Sequence, residues 1–142
     1  MMKNLLKSVA ILLVSVVFVS CSDTEETKVV NFISNSADFV VKNQTTGESA
    51  KNLETGLEVK NGDVLELTYA CPSEYQKYSW MVEFELFDSE TIKVSQSPYT
   101  CTYTVKDLSA GNYHISCSAT ISDPDVEGTS LDAAIVGVNV VE

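Results

Sequence analysis

The sequence predicts an all-β fold, an antiparallel sandwich of about seven to eight strands, and three observations carry that prediction. From Leu57 to Val140, apolar and polar residues alternate with period two in one segment after another, the pattern of strands with one buried face. Turn signals such as Asn61-Gly62-Asp63, Pro72-Ser73-Glu74 and Leu108-Ser109-Ala110-Gly111 separate these segments. No window beyond the N-terminal apolar run sustains a helical period. Short strands at turn-separated intervals, without helices, favour two packed sheets.

Taken in order, Val29-Val30-Asn31-Phe32-Ile33 and Asp38-Phe39-Val40-Val41 both read as strand. They are expected to form a first edge strand, split by Ser34-Asn35-Ser36. Leu57 and Val59 lead into the Asn61-Gly62 turn, after which Leu65, Leu67, Tyr69 and Cys71 alternate with Glu66, Thr68 and Ala70. Tyr78, Trp80, Val82, Phe84 and Leu86 share one face of the next strand, with Ser79, Glu83 and Glu85 on the other. Ile92 and Val94 mark a short edge segment closed by Pro98. Tyr99, Cys101, Tyr103 and Val105 then alternate with three threonines. Tyr113, Ile115, Cys117, Ala119 and Ile121 form another strand. An acidic loop from Asp123 to Ser130 follows, and Val136, Val138 and Val140 close the chain.

The chain has 142 residues and a formal charge of −11, with no arginine. Its start is unlike the rest. Lys3 and Lys7 precede an apolar run from Val9 to Val19 that is shorter than the ~20 residues a spanning helix needs. Residues 1–20 are therefore expected to be a signal peptide. Phe18-Val19-Ser20-Cys21 resembles a bacterial lipobox, which implies that Cys21 is lipidated and becomes the mature N-terminus. Residues 21–28 then form an acidic tether. Cys21-Ser22-Asp23 followed by Glu25-Glu26 is similar to the lipoprotein export signal of Bacteroidota, which implies an outer-membrane anchor and favours surface exposure over a periplasmic location. Without Lys3 and Lys7, seven lysines face 20 acidic residues, a formal −13. Such a surface repels phosphate backbones, which excludes nucleic acid as a partner.

Residues 29–142 are expected to be one domain, long enough to bury a core unaided. Within it Tyr78-Ser79-Trp80, Tyr103-Thr104-Val105, Leu108 to Ile115 and Ala119 to Asp123 resemble the polycystic-kidney-disease (PKD) type of immunoglobulin-like domain. In that family a Trp anchors the third strand and a Gly-x-Tyr-x-Val turn opens a later one. Typical members follow the Trp with Asp-Phe-Gly-Asp-Gly, where this chain has Met81-Val82-Glu83-Phe84-Glu85. The resemblance implies an immunoglobulin/PKD-like sandwich and a non-catalytic module. Tyr113, just past Gly111-Asn112, occupies the place of the tyrosine corner of such domains. Antibody domains put the bridging cysteine two residues beyond that tyrosine. Here Ile115 holds that position, and Cys117 lies one pleat further.

With Cys21 assigned to the anchor, Cys71, Cys101 and Cys117 remain, in a compartment where disulfides persist. All three share the inward parity. Cys71–Cys117 is the expected bridge, leaving Cys101 reduced, with Cys71–Cys101 as the alternative. One histidine and scattered cysteines do not make a zinc site, and no metal or other cofactor is expected. The acidic loop Asp123 to Ser130 offers calcium-type oxygens, but its spacing is not that of an EF-hand. His114 points outward with no nucleophile beside it, and Glu83 and Glu85 lie on an open strand face, so no enzyme is expected. Trp80, Tyr69, Tyr103 and Tyr113 fall on the core face. Tyr75, Tyr78 and Tyr99, at strand ends, are the candidate ligand contacts. The expected role is a non-catalytic, lipid-anchored recognition or assembly module contacting an envelope protein or a glycan. The alternatives are a glycan-capture accessory of a polysaccharide-utilisation system and a structural spacer.

Overall fold

Period-two alternation produces two packed β-sheets. The computed structural model describes residues 28–142; the expected signal peptide, Cys21 and the tether through Thr27 lie outside the described residues. Twelve strands follow in order: β1 (Lys28–Val29), β2 (Phe32–Ser34), β3 (Asp38–Asn43), β4 (Ser49–Lys51), β5 (Leu57–Val59), β6 (Val64–Ala70), β7 (Trp80–Leu86), β8 (Glu90–Val94), β9 (Tyr99–Thr104), β10 (Gly111–Ile121), β11 (Val126–Glu127) and β12 (Ser130–Val140). A single 3₁₀ turn spans Ser73–Tyr75. The larger sheet runs β2-β12-β10-β7-β8 with β5 also on β12, and the smaller runs β4-β3-β6-β9. Seven strands of five or more residues carry the sandwich. Their arrangement, with β6 beside β9 on one sheet and β7, β10 and β12 together on the other, is immunoglobulin-like.

The core lies between the inward faces. Phe39, Val41, Leu65 and Leu67 of the smaller sheet meet Val82, Phe84, Leu86, Ile115 and Val136 of the larger, all with almost no exposure. Phe39 and Phe84 stack across the gap with ring centroids 5.8 Å apart. Trp80 is fully buried; its Nε1 donates to the Tyr75 carbonyl at 3.0 Å. At the far end, Tyr113 donates its hydroxyl to the Ser109 carbonyl at 2.9 Å, the tie of a tyrosine corner. The Asn43 amide donates to Asp63 Oδ2 at 2.8 Å, and that oxygen also accepts from the Lys60 N–H.

Three departures from the sequence expectation bear on the surface. First, Phe32–Ser34 and Asp38–Asn43 do not make one split edge strand. β2 pairs parallel with β12, whereas β3 pairs antiparallel with β6 in the other sheet. Ser34-Asn35-Ser36 is thus a switch between sheets, with the Ser36 N–H held by Ser34 Oγ at 3.0 Å. Second, β12 starts at Ser130, six residues earlier than the valine run implies. Asp132 occupies an inward position there, which breaks the apolar pattern. It is buried, 2% exposed, and accepts the Tyr69 hydroxyl at 2.8 Å. Third, β1–β11, β2–β12 and β5–β12 are parallel, so the sandwich is antiparallel in its main strands only.

The outer edge of β12 is covered along its length. β2 pairs with Ser130 to Asp132 and β5 with Val138 to Val140. Between them the Leu53 N–H donates to the Ile135 carbonyl at 2.7 Å, and the Gly137 N–H donates to the Glu54 carbonyl at 2.9 Å. This approach is so close that a Cβ on Gly137 would lie 3.0 Å from Thr55 Cβ. The turn making it, closed by Glu54 N–H to the Lys51 carbonyl, places Leu53 at φ +70°. A positive φ at that third turn residue is the type II pattern, a position suited to glycine.

Candidate recognition surface

The candidate surface is built at one end of the sandwich from the β6–β7 connection, the β10–β12 connection and the entering strands β1 and β2. Pro72 opens a 3₁₀ turn, with the Tyr75 N–H donating to the Pro72 carbonyl at 2.9 Å and the Tyr78 N–H to the Tyr75 carbonyl at 3.2 Å. Such a turn brings residues three apart into line. Tyr75 and Tyr78 accordingly stack, 6.4 Å between centroids at 24°. The Trp80 indole bond to the Tyr75 carbonyl fixes this turn to the core. Phe32, on β2, closes the other side of Tyr75 at 5.2 Å.

Two lysines complete the cluster. Pairing of β1 with β11 brings Lys28 Nζ to 6.0 Å from the Tyr78 ring centroid, and Lys77 Nζ lies 5.3 Å from the same centroid. Both are within cation–π range. The ion pairs found among the described residues, Lys93–Glu83 at 3.4 Å and His114–Asp88 at 4.0 Å, involve neither of them. In so acidic a chain, these two ammonium groups stand against an aromatic ring instead of a carboxylate. Phe32 and Tyr78 flank Tyr75, and two lysines flank Tyr78. The cluster therefore offers ring edges, phenol hydroxyls and ammonium groups more than an open aromatic face.

Of the tyrosines named from the sequence, Tyr75 and Tyr78 are half-buried in this cluster. Tyr99 is not part of it. It lies opposite Tyr69 in the β6–β9 pairing and shares its inward parity. Only 8% of its surface is exposed, and its hydroxyl accepts the Trp80 N–H at 3.2 Å. Tyr99 is a core residue. No local pattern in the sequence marks Phe32, Lys28 or Lys77 as part of this surface; Phe32 meets Tyr75 only because β2 crosses to the edge of β12.

The three domain cysteines are free, so the expected Cys71–Cys117 bridge is absent, as is Cys71–Cys101. Cys71 falls one residue past the end of β6, whereas Cys117 lies inside β10 opposite Phe84. Burial pushes the Cys117 thiol up to about 12 and the Cys101 thiol up to about 11, and raises Cys71 as well. Thiols so raised are poor nucleophiles at neutral pH.

The remaining polar groups are dispersed. His114 and the Glu83–Glu85 pair face outward on the larger sheet. Asp123 Oδ1 is occupied by the Asp125 N–H at 3.0 Å. Among the described residues no group of three His, Cys, Asp or Glu side chains is placed to hold a metal ion. A shallow depression of about 310 Å³ lies toward the opposite end, between Thr55, Asn112, His114 and Gly137, with no carboxylate in its lining.

No protein-family model and no curated protein matches the sequence. Among solved structures, the chain is similar to the extracellular domain of a one-component system from B. thetaiotaomicron, at 12% identity and TM-score 0.43. That match covers 76% of this chain and 16% of the other. It is also similar to the FN1–FN3 domains of chicken CNTN1, at 13% identity and TM-score 0.36, covering 67% of this chain and 37% of that one. The chain thus spans well under half the length of either structure. No helix among the described residues is long and apolar enough to cross a membrane.

Proposed function

We propose that this chain is a PKD-like, lipid-anchored cell-envelope module that binds without turnover, through the loop end built on Tyr75 and Tyr78. The observation that carries this reading is the Phe32–Tyr75–Tyr78 cluster with Lys28 and Lys77 against it. Aromatic rings with polar tips, held on a rigid scaffold and flanked by cations, provide contact area at low entropic cost. Because the ring faces are already occupied, an envelope protein fits better than a pyranose that needs a free face to stack on. Cys21 supplies the anchor, at the outer membrane, and the acidic surface keeps the domain soluble.

Screening the mature domain on envelope-protein and glycan arrays, beside a Tyr75→Ala/Tyr78→Ala variant, tests the binding site. Binding lost in the variant supports it; equal binding by both removes the cluster from the site. A glycan hit that depends on the two tyrosines moves the assignment to the glycan-capture alternative. Reproducible turnover of any substrate overturns the non-enzyme reading. The anchor is tested separately by Cys21→Ser, which is expected to release the protein from washed membranes or to block its processing.

A further inference from the structure

Lys28 belongs to the aromatic cluster and is also the point where the chain enters the fold. Its N–H donates to the Asp125 carbonyl at 3.3 Å, and β1 pairs with β11 there. Only Ser22 to Thr27 separate it from Cys21. At no more than ~3.6 Å per residue, that stretch has a greatest reach of about 25 Å. The domain is longer than this. β10 runs 11 residues, from Gly111 at the opposite end to Ile121 beside Trp80, about 34 Å at ~3.4 Å per residue. With Cys21 in the bilayer, an orientation that points the opposite end at the membrane is out of reach. Lys28, and the Tyr78 ring it sits against, stay within about 25 to 30 Å of the bilayer surface.

That end is not built to lie on the bilayer itself. Glu74 shares the turn with Lys77, and Asp125 and Glu127 flank the residue paired with Lys28, all three exposed. Asp123 is half-buried beside them, and Asp23, Glu25 and Glu26 stand in the stretch before Lys28. These carboxylates outnumber the two ammonium groups, so anionic headgroups repel this end of the domain. Given the Cys21 anchor and the loop-end site proposed above, on which this rests, we infer that the occupant of the Tyr75–Tyr78 surface is a protein of the same membrane. It is engaged in cis, and its contact face carries a basic rim that complements Glu74, Asp125 and Glu127. A partner arriving from beyond the domain meets the opposite end first. Confinement of both proteins to one membrane raises their effective concentration, so a small contact on the cluster suffices.

Gln76 is exposed between Tyr75 and Lys77. The full chain with p-benzoylphenylalanine at Gln76, photoactivated in intact cells, is expected to crosslink a membrane-resident protein. At least tenfold less adduct is expected with the probe at Ser109, on the opposite end, or when Tyr75→Ala and Tyr78→Ala are added. The deciding variant places about four helical EAAAK units between Thr27 and Lys28, which at ~1.5 Å per residue lift the domain by about 30 Å. The Gln76 adduct is then expected to fall at least fivefold while the melting temperature is unchanged. Undiminished yield after lifting, an equal adduct from Ser109, or none from Gln76 overturns the assignment. So does co-sedimentation of the Cys21→Ser chain with protein-free vesicles containing phosphatidylglycerol, which would make the bilayer the occupant. Retention of the Cys21→Ser chain in washed membranes removes the anchor, and this assignment with it. Tyrosine-dependent array binding together with an adduct indifferent to lifting confines the failure to the cis partner.

Discussion

Tyr69→Phe isolates one buried polar contact. The phenol hydroxyl donates to Asp132 Oδ2 at 2.8 Å, and the carboxylate is 2% exposed. The ring itself stays packed, 6.1 Å from Trp80 and 6.2 Å from Tyr99, so the substitution removes the donor and little else. A hydrogen bond to a charged group stabilises by about 1.5–3 kcal/mol, and that loss is expected at pH 7. With a urea m-value of about 1–3 kcal/mol/M, the unfolding midpoint falls by roughly 1 M. In an Asp132→Asn background the same change removes only a neutral bond, worth about 0.5–1.5 kcal/mol. A double-mutant cycle should therefore show a coupling of about 1–2 kcal/mol. The pH dependence has a definite sign. Burial raises the Asp132 carboxyl above its ordinary value of 3.8, against lowering by hydrogen bonds from Tyr69 and Ser34. A raised folded-state value means a contribution to stability that is fully present below the ordinary value and is lost as pH rises through the folded one. Tyr69→Phe removes one lowering bond and moves that window further up. Its penalty is thus largest at pH 7 and shrinks on acidification, as Asp132 takes up a proton in both proteins. Urea titrations of the four proteins at several pH values provide the assay. A penalty independent of pH, or a coupling near zero, would refute the reasoning.

Trp80→Ala should cost about 3–5 kcal/mol in the same titrations, the range for a buried large aromatic. Because it also removes the donor to the Tyr75 carbonyl, amide exchange in 73–78 should accelerate. Gly128 has φ +110°, and a Cβ there would collide with the Val30 carbonyl. Gly128→Ala is therefore expected to cost about 1–3 kcal/mol and to expose the Val30 amide, bonded to the Glu127 carbonyl, to exchange; unchanged protection of that amide would count against the packing described. With its thiol pushed from 9.0 to about 12, native Cys117 should label at pH 8 about a thousandfold more slowly than in urea, on thiolate fraction alone. Equal rates in the two states would contradict its burial.

The seven main strands were legible because each buries one face, and alternation records that directly. Trp80, Tyr69 and Tyr113 were legible for the same reason. What eluded the pattern is non-local. Asp132 looks like a loop residue until Tyr69, 63 positions away, supplies its donor. The sheet switch at Ser34–Ser36 depends on β12 presenting an unpaired edge, and no segment of β2 encodes that edge. Tyr99 stands at a strand end, but its parity is that of Cys101 and Tyr103, and parity decides its burial. Half of the candidate surface, Tyr75 and Tyr78, followed from their place next to a turn. Of the rest, Lys77 is the neighbour of Tyr78 in the same connection, whereas Phe32 and Lys28 are brought in by strand pairing across nearly the whole domain.

That dependence on β12 also governs when the molecule can finish folding. β2 and β5 lie well before β12 in the chain, yet both take it as their partner in the larger sheet. A polypeptide emerging N-terminus first therefore holds Leu57 and Val59 without their β12 neighbour until Val138 to Val140 arrive. The β3–β6–β9 sheet can form sooner, since none of its pairings waits for β12. Closure of the larger sheet consequently waits for β12 and is limited by contacts of long sequence separation, which are slow to form. A nonsense codon at Ser130, which removes all of β12, would leave the edge of β10 bare and two early strands unpaired, a species fit for degradation more than for partial function.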